Sequence, residues 1–189
     1  MHNILIIDDV VDTDTQDLIE KSIFSPETQW TFGRTVFAHS DPKMNIESKK
    51  QAMNFTKSLY RLDDRFSVND MDLYIKPLHT LNIKTLFTSR IQLQLPVLTD
   101  KNYGLPHVDG VRSFPYNAAV YYVNDSDGDT VFFEETTKQI SPNNINPNMK
   151  IYKTVSPKKG RLVVFPGDVY HSSGKPKNDI RCIINYNFV

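Results

Sequence analysis

The sequence predicts a mainly β fold with flanking helices, a β-sandwich or jelly roll, on three observations. First, from about residue 85 eight short strand-like runs follow one another, near 88–95, 105–109, 116–123, 130–134, 150–154, 161–165, 169–172 and 180–188. Second, turn chemistry separates many of them: Asn124-Asp125-Ser126-Asp127-Gly128-Asp129, Ser141-Pro142-Asn143-Asn144, Ser156-Pro157-Lys158-Lys159-Gly160 and Ser173-Gly174-Lys175-Pro176. Glycine, proline and small polar side chains reverse the chain at low conformational cost. Third, the flanking runs alternate. Arg181, Ile183, Asn185 and Asn187 share one strand face, and Cys182, Ile184, Tyr186 and Phe188 the other. Arg90, Gln92 and Gln94 likewise oppose Ile91, Leu93 and Leu95. A polar face of this kind meets solvent or lines a cavity, while the apolar face packs on the rest of the chain.

The N-terminal part reads differently. Residues 3–7 predict a short buried strand. A helix over about 14–24 follows, capped by Asp12 or Thr13, with Leu18, Ile19, Ile23 and Phe24 on its apolar side. Residues 29–37 alternate as a strand with Trp30 and Phe32 on one face, and the polar stretch 39–50 reads as a loop. Ala52, Phe55, Leu59 and Leu62 fall at helical spacing, which predicts a helix over 47–62. Leu78, Leu81 and Leu86 suggest another after Pro77. No repeat or linker divides the chain, so the expectation is a single domain over 1–189, with a helix-rich support (1–84) packed on a jelly-roll core (85–189).

Composition excludes several classes. The chain has 189 residues, with 22 Lys plus Arg and 22 Asp plus Glu, so it offers no general electrostatic argument for a nucleic-acid or anionic-membrane partner. Hydrophobic residues at 39% suit a folded globular domain. A lone cysteine, Cys182, forms no intrachain disulfide. Apolar runs are far too short for a membrane span, and the acidic start after Ile7 lacks the order of a secretory signal. A soluble, cytoplasmic protein is the expectation.

Chemistry concentrates in Leu105-Pro106-His107-Val108-Asp109-Gly110. On a strand, His107 and Asp109 project from the same face and can bind one metal ion together. His171 comes 62 residues after Asp109 and can close the triangle from a neighbouring strand. Two imidazoles and a carboxylate on one face of an octahedron form the ligand set of a non-haem iron(II) oxygenase, with open positions for a chelating co-substrate and dioxygen. Arg181 lies ten residues beyond His171, on the polar face of the last strand. A guanidinium in a cavity needs an anion, and a carboxylate bound through both its oxygens is the natural one.

These stretches resemble the iron(II)/2-oxoglutarate-dependent dioxygenases, and within them the prolyl 4-hydroxylase-like branch. The resemblance runs from about Ser89 to Phe188. It rests on His107-Val108-Asp109, Ala119-Val120-Tyr121-Tyr122-Val123-Asn124, Gly128-Asp129-Thr130-Val131-Phe132-Phe133, the segment Gly160 to His171, and Arg181. It departs from the family where two glycines often precede the threonine strand, since this chain has Asp127-Gly128-Asp129. The resemblance implies a double-stranded β-helix (jelly roll, cupin-like). It implies His107, Asp109 and His171 as iron ligands and Arg181 as the holder of the distal carboxylate of 2-oxoglutarate. Tyr122 would donate a hydrogen bond to that same carboxylate. The strand of Arg90, Gln92 and Gln94 corresponds to one contributing near the other end of the co-substrate, with Gln94 the candidate. No catalytic residue beyond the metal centre is implied. The cofactors would be Fe(2+), 2-oxoglutarate and O2, with ascorbate a candidate reductant.

The implied reaction is hydroxylation of an unactivated C–H bond with release of succinate and CO2. Its implied substrate is a prolyl or other amino-acid residue in a peptide or protein. A hydroxylase of a free amino acid or small metabolite and a non-catalytic metal-binding jelly-roll sensor are the alternatives. Asp109 stands where halide-transferring relatives have a small residue, which argues against halogenation. His2, His39 and His79 read as surface or structural groups, and Cys182 as a core thiol. Tyr121 reads as packing, whereas Trp30, Tyr103, Phe114 and Tyr116 could be core or substrate mouth. Residues 96–104 and 110–116 flank the metal strand and are candidate lids. Lys158-Lys159-Gly160-Arg161 reads as a solvated turn.

Overall fold

In the computed structural model the described residues are 2–33, 54–98, 102–110, 113–141 and 149–189. They form β1 (Leu5–Ile7), α1 (Thr13–Ile23), β2 (Thr31–Gly33), β3 (Asn54–Arg61), β4 (Phe66–Ser67), α2 (Met71–Ile75) and a 3-10 turn (Lys76–Leu78). Seven strands follow: β5 (Leu86–Gln94), β6 (Asn117–Tyr122), β7 (Thr130–Thr136), β8 (Ile151–Val155), β9 (Leu162–Pro166), β10 (Val169–Ser173) and β11 (Arg181–Phe188). A large antiparallel sheet runs β1-β9-β6-β11-β5-β3-β2, with β4 paired to β3, and a smaller one runs β10-β7-β8. Two facing antiparallel sheets make the jelly roll that the turn-separated short strands predict.

The large sheet buries apolar side chains on both faces. On one face Cys182, Ile184, Tyr186 and Phe188 of β11 pack with Ile19 and Ile23 of α1, Tyr74 of α2 and Leu78. On the other, Ile183 joins Val120, Tyr122, Phe132, Val163 and Phe165 between the sheets. The alternation read in 181–188 is thus a split between two buried compartments. Asp12 starts α1 by accepting from the Thr15 backbone N–H at 2.8 Å. Gly160 sits at φ +80° directly over the Gln16 side chain, where any Cβ would be both strained and blocked.

The helix expected over 47–62 is corrected. Residues 54–61 are β3, antiparallel to β5 with Phe55 opposite Leu93 and Thr56 opposite Gln92; residues 47–53 lie outside the described residues. The 55/59/62 spacing fits a helix in isolation. The backbone edge of β5 needs a hydrogen-bonding partner, and aromatic and β-branched residues in 54–61 suit a strand. The helix suggested after Pro77 also lies elsewhere: α2 precedes it, and Pro77 is the second residue of the 3-10 turn, where its missing N–H costs nothing. The strand expected over 105–109 is reduced to one antiparallel bridge, His107 to His171, with a second, Tyr103 to Gly174, just before it. These place the segment along the free edge of β10. Of the expected strand 29–37, residues 31–33 form β2, while 34–37 and His39 lie outside the described residues. No described helix is long and apolar enough to cross a membrane.

Candidate metal centre

The His107–His171 bridge builds the site. Each residue donates its backbone N–H to the other's carbonyl, at 2.8 and 2.9 Å, so the two imidazoles emerge side by side with ring centroids 4.6 Å apart. The Nδ1 of His107 lies 3.2 Å from the Leu105 carbonyl, and that of His171 lies 3.2 Å from the Val169 carbonyl. A carbonyl only accepts, so each Nδ1 carries a proton and each Nε2 is the ring nitrogen turned toward the site, the orientation a metal ligand requires. Phe165 packs edge-on against His171 with ring centroids 4.7 Å apart, which fixes the ring.

Asp109 meets the pair from the turn after His107. Its Oδ2 accepts from Asn185 Nδ2 at 2.8 Å and stands 3.8 Å from His171 Nε2; its Oδ1 is 3.4 Å from Arg90 Nη2. One ligand atom from each of His107, Asp109 and His171 lies within 4.8 Å of the others. Burial, reinforced by the His171 charge, pushes the His107 imidazole down to about 3, so it is a neutral ligand at any ordinary pH. Burial would raise the Asp109 carboxyl, but the nearby His171 and Arg90 charges and the Asn185 bond outweigh it and hold it below its usual range. Two imidazoles and one ionised carboxylate fit a divalent transition-metal ion.

Arg181 lies on the same face of β11 as Asn185 and is 1% exposed. Its Nε donates to the Gly128 carbonyl at 2.7 Å, Nη2 to Thr130 Oγ1 at 2.8 Å and Nη1 to Gln94 Oε1 at 3.2 Å. All three acceptors are neutral, and among the described residues no carboxylate forms an ion pair with it. Burial lowers its pKa, yet a guanidinium keeps its proton across the accessible range. Tyr122 lies beneath it, with the guanidinium carbon 5.7 Å from the ring centroid, and gives its hydroxyl proton to Thr130 Oγ1 at 2.6 Å. Gly128 and Gly174 make the fit possible, since a Cβ on Gly128 would stand 3.0 Å from the Arg181 side chain and one on Gly174 would collide with the Asp129 backbone.

The register sets the spacing of the two halves. His171 pairs with Phe132, and Ser173 pairs with Thr130, which Arg181 holds. The metal level and the arginine level are therefore two strand residues apart, about 7 Å. A five-carbon diacid spans such a gap.

Gln94 lies at the arginine end, bonded to Arg181 and, through Nε2, to Ser173 Oγ at 2.9 Å. The β5 residue at the metal end is Arg90. Sequence reasoning also passed over Thr130 and the contact of Asn185 with Asp109; alternation on β11 had already put Asn185 on the inner face. Tyr116 is buried, donating its hydroxyl to the Gly110 and Gly167 carbonyls, and Tyr103 packs against Phe133. Trp30 packs against the helix-side core, and Phe114 is exposed beside Phe87. Of the candidate lids, residues 99–101 and 111–112 lie outside the described residues. His2 bonds the Glu134 carbonyl and stacks edge-on with Tyr152. The turn 158–161 is latched to the N-terminal segment by Lys158 to Asp8 and Asp9, Lys159 to Asp17 and Glu20, and Arg161 to Asp8.

No protein-family model matches the sequence, and no curated protein matches it. Solved structures do match the fold. A prolyl-4-hydroxylase from Pseudomonas putida superposes with a TM-score of 0.58 at 14% identity, covering 100% of this chain and 92% of that one. The chain has the fold of the 2-oxoglutarate-dependent oxygenases. SnoN, a non-haem α-ketoglutarate-dependent epimerase from nogalamycin biosynthesis, matches this oxygenase fold with a TM-score of 0.63 at 13% identity, covering 100% and 78%. HygX from Streptomyces hygroscopicus, solved with nickel and 2-oxoglutarate, gives 0.61 at 10% identity, covering 99% and 82%. A hydroxylase and an epimerase share the oxygenase fold, so the fold by itself does not choose a substrate.

Proposed function

We propose that the chain is an iron(II)- and 2-oxoglutarate-dependent dioxygenase that hydroxylates an unactivated C–H bond and releases succinate and CO2. One observation carries this reading: a buried guanidinium that pairs with no carboxylate among the described residues, one short diacid away from a buried His–Asp–His set. A structural metal site has no use for Arg181, and a buried cation without a protein anion is costly unless a ligand supplies one. His107, Asp109 and His171 would hold the ion, which when bound supplies the oxidising chemistry with its co-substrate. Arg181, held by Gly128, Thr130 and Gln94, orients the distal carboxylate. Asn185 fixes the Asp109 carboxylate, and Phe132 and Phe165 keep water from the His171 side. A prolyl or other amino-acid residue in a peptide or protein is the substrate suggested by the prolyl-hydroxylase likeness, and a free amino acid the second choice. The test is calorimetric titration of 2-oxoglutarate into manganese-loaded protein, with succinate release measured in parallel on iron-loaded protein. Binding that needs both the metal and Arg181, with slow succinate release, is expected; binding unaffected by His107→Ala or Arg181→Ala would sink the reading.

A further inference from the structure

We propose that Arg90 is a specificity-determining residue that selects a substrate bearing a carboxylate. The inference rests on the co-substrate reading above and adds the chemical class of the substrate. Arg90 is at the metal end of β5, flanked across the sheet by Asn185 of β11 and Ser58 of β3. Its side chain is 31% exposed, whereas Arg181 is sealed in. Among the described residues its one ion pair is the long 3.4 Å approach of Nη2 to Asp109 Oδ1, and its Nε is buried without a hydrogen-bond partner.

The charge balance is what makes this arrangement informative. Strands β3, β5, β6 and β11 carry no Asp or Glu at all, and among the described residues Asp109 is the acid that bonds to this face. A divalent ion, a dianionic co-substrate, Asp109 and Arg181 together sum to zero. Arg90 is then one positive charge in excess. Asp109 cannot balance it, because its carboxylate is shared with the ion, which itself repels the guanidinium. A partly buried cation with donors to spare, beside the Asp109 carboxylate, is matched by an anion arriving with the substrate. The planar fork suits a carboxylate bound through both oxygens. That carboxylate has two sources, the free α-carboxylate of an amino acid or an acidic side chain next to the oxidised residue of a peptide.

The test uses manganese-loaded full-length protein with 2-oxoglutarate, and four probe pools. These are N-acetyl amino acids, their primary amides, capped tripeptides with Asp or Glu beside a variable central residue, and the same tripeptides with Asn or Gln instead. Binding is read from broadening of probe proton signals by the bound manganese, and oxygen gain by mass spectrometry on iron-loaded protein. Broadening confined to one carboxylate pool is expected, and which pool it is identifies the source. Arg90→Gln should weaken that probe by about tenfold or more and Arg90→Lys by less, at unchanged metal stoichiometry. Equal broadening by amide and carboxylate pools, no broadening by any carboxylate probe, or a wild-type affinity in Arg90→Gln would overturn the proposal. Failure of 2-oxoglutarate itself to bind the metal-loaded wild type would instead overturn the co-substrate reading, and calorimetry before the probes are added separates the two.

Discussion

Replacing Arg181 by methionine separates a group kept for a ligand from one kept for the fold. The substitution removes three hydrogen bonds, to Gly128, Thr130 and Gln94. Each acceptor left without a partner costs about 1–3 kcal/mol. It also removes a fully buried cation with no ion-paired carboxylate among the described residues, whose desolvation penalty is several kcal/mol in the other direction. The opposed terms are of similar size, so the unliganded variant should unfold near the wild-type temperature. Binding has no such cancellation. Loss of the buried partner of a carboxylate costs about 2–5 kcal/mol, roughly 30-fold to several thousandfold in Kd. At a 2-oxoglutarate concentration about 100 times its Kd, metal-loaded wild type gains about 2.7 kcal/mol. For a chain of this size that is about 5–10 °C in Tm. Thermal denaturation of the manganese-loaded proteins, with and without 2-oxoglutarate, should show that gain in wild type and almost none in Arg181→Met. Arg181→Lys should fall between, since it keeps the charge and loses the fork. A variant that unfolds far below wild type without ligand, yet gains the full shift with it, would refute the reasoning and make Arg181 a structural group.

Asn185→Ala should weaken metal binding by about 10–100-fold, measured by competition with a chelator, because it frees the Asp109 carboxylate that the amide holds at 2.8 Å. Cys182 should resist alkylation in the folded protein and react on unfolding, since burial raises its thiol far above the usual range and leaves little thiolate; rapid native labelling would contradict its place in the core. Asp12→Ala should lower Tm at neutral pH. The Thr15 backbone and hydroxyl bonds depress the Asp12 carboxyl below 3.8, so its contribution is full above that value and fades as pH falls through the folded pKa. The Tm gap between variant and wild type should therefore close in strong acid, and a gap that widens there would reverse the assignment.

What was legible in the sequence follows the range of the forces involved. Alternation and turn chemistry are local, so seven of the eight strand-like runs reappear as β5 to β11 within a residue or two. Segment 47–62 misled because the decisive partner was distant: pairing of β3 with β5 outweighed a helical spacing of four apolar residues. The same limit governs the site. His107, Asp109, His171 and Arg181 stand out by residue type and strand phase, both readable along the chain. Gln94 against Arg181, and Arg90 against Asp109, depend on which end of β5 lies beside which end of β11. Residue 90 opposes 185 and residue 94 opposes 181, a register that no spacing within β5 encodes. It is fixed by the apolar residues on the reverse face, where Ile91 and Ile184 meet opposite one another under α1. A shift of one residue would turn the polar set of β5 into that apolar core. The packing of the helical flank therefore decides which end of β5 lies against Arg181 and which against Asp109. Substitutions at Ile91 or Ile184 that loosen this register should disturb both sites at once, although neither residue touches a ligand.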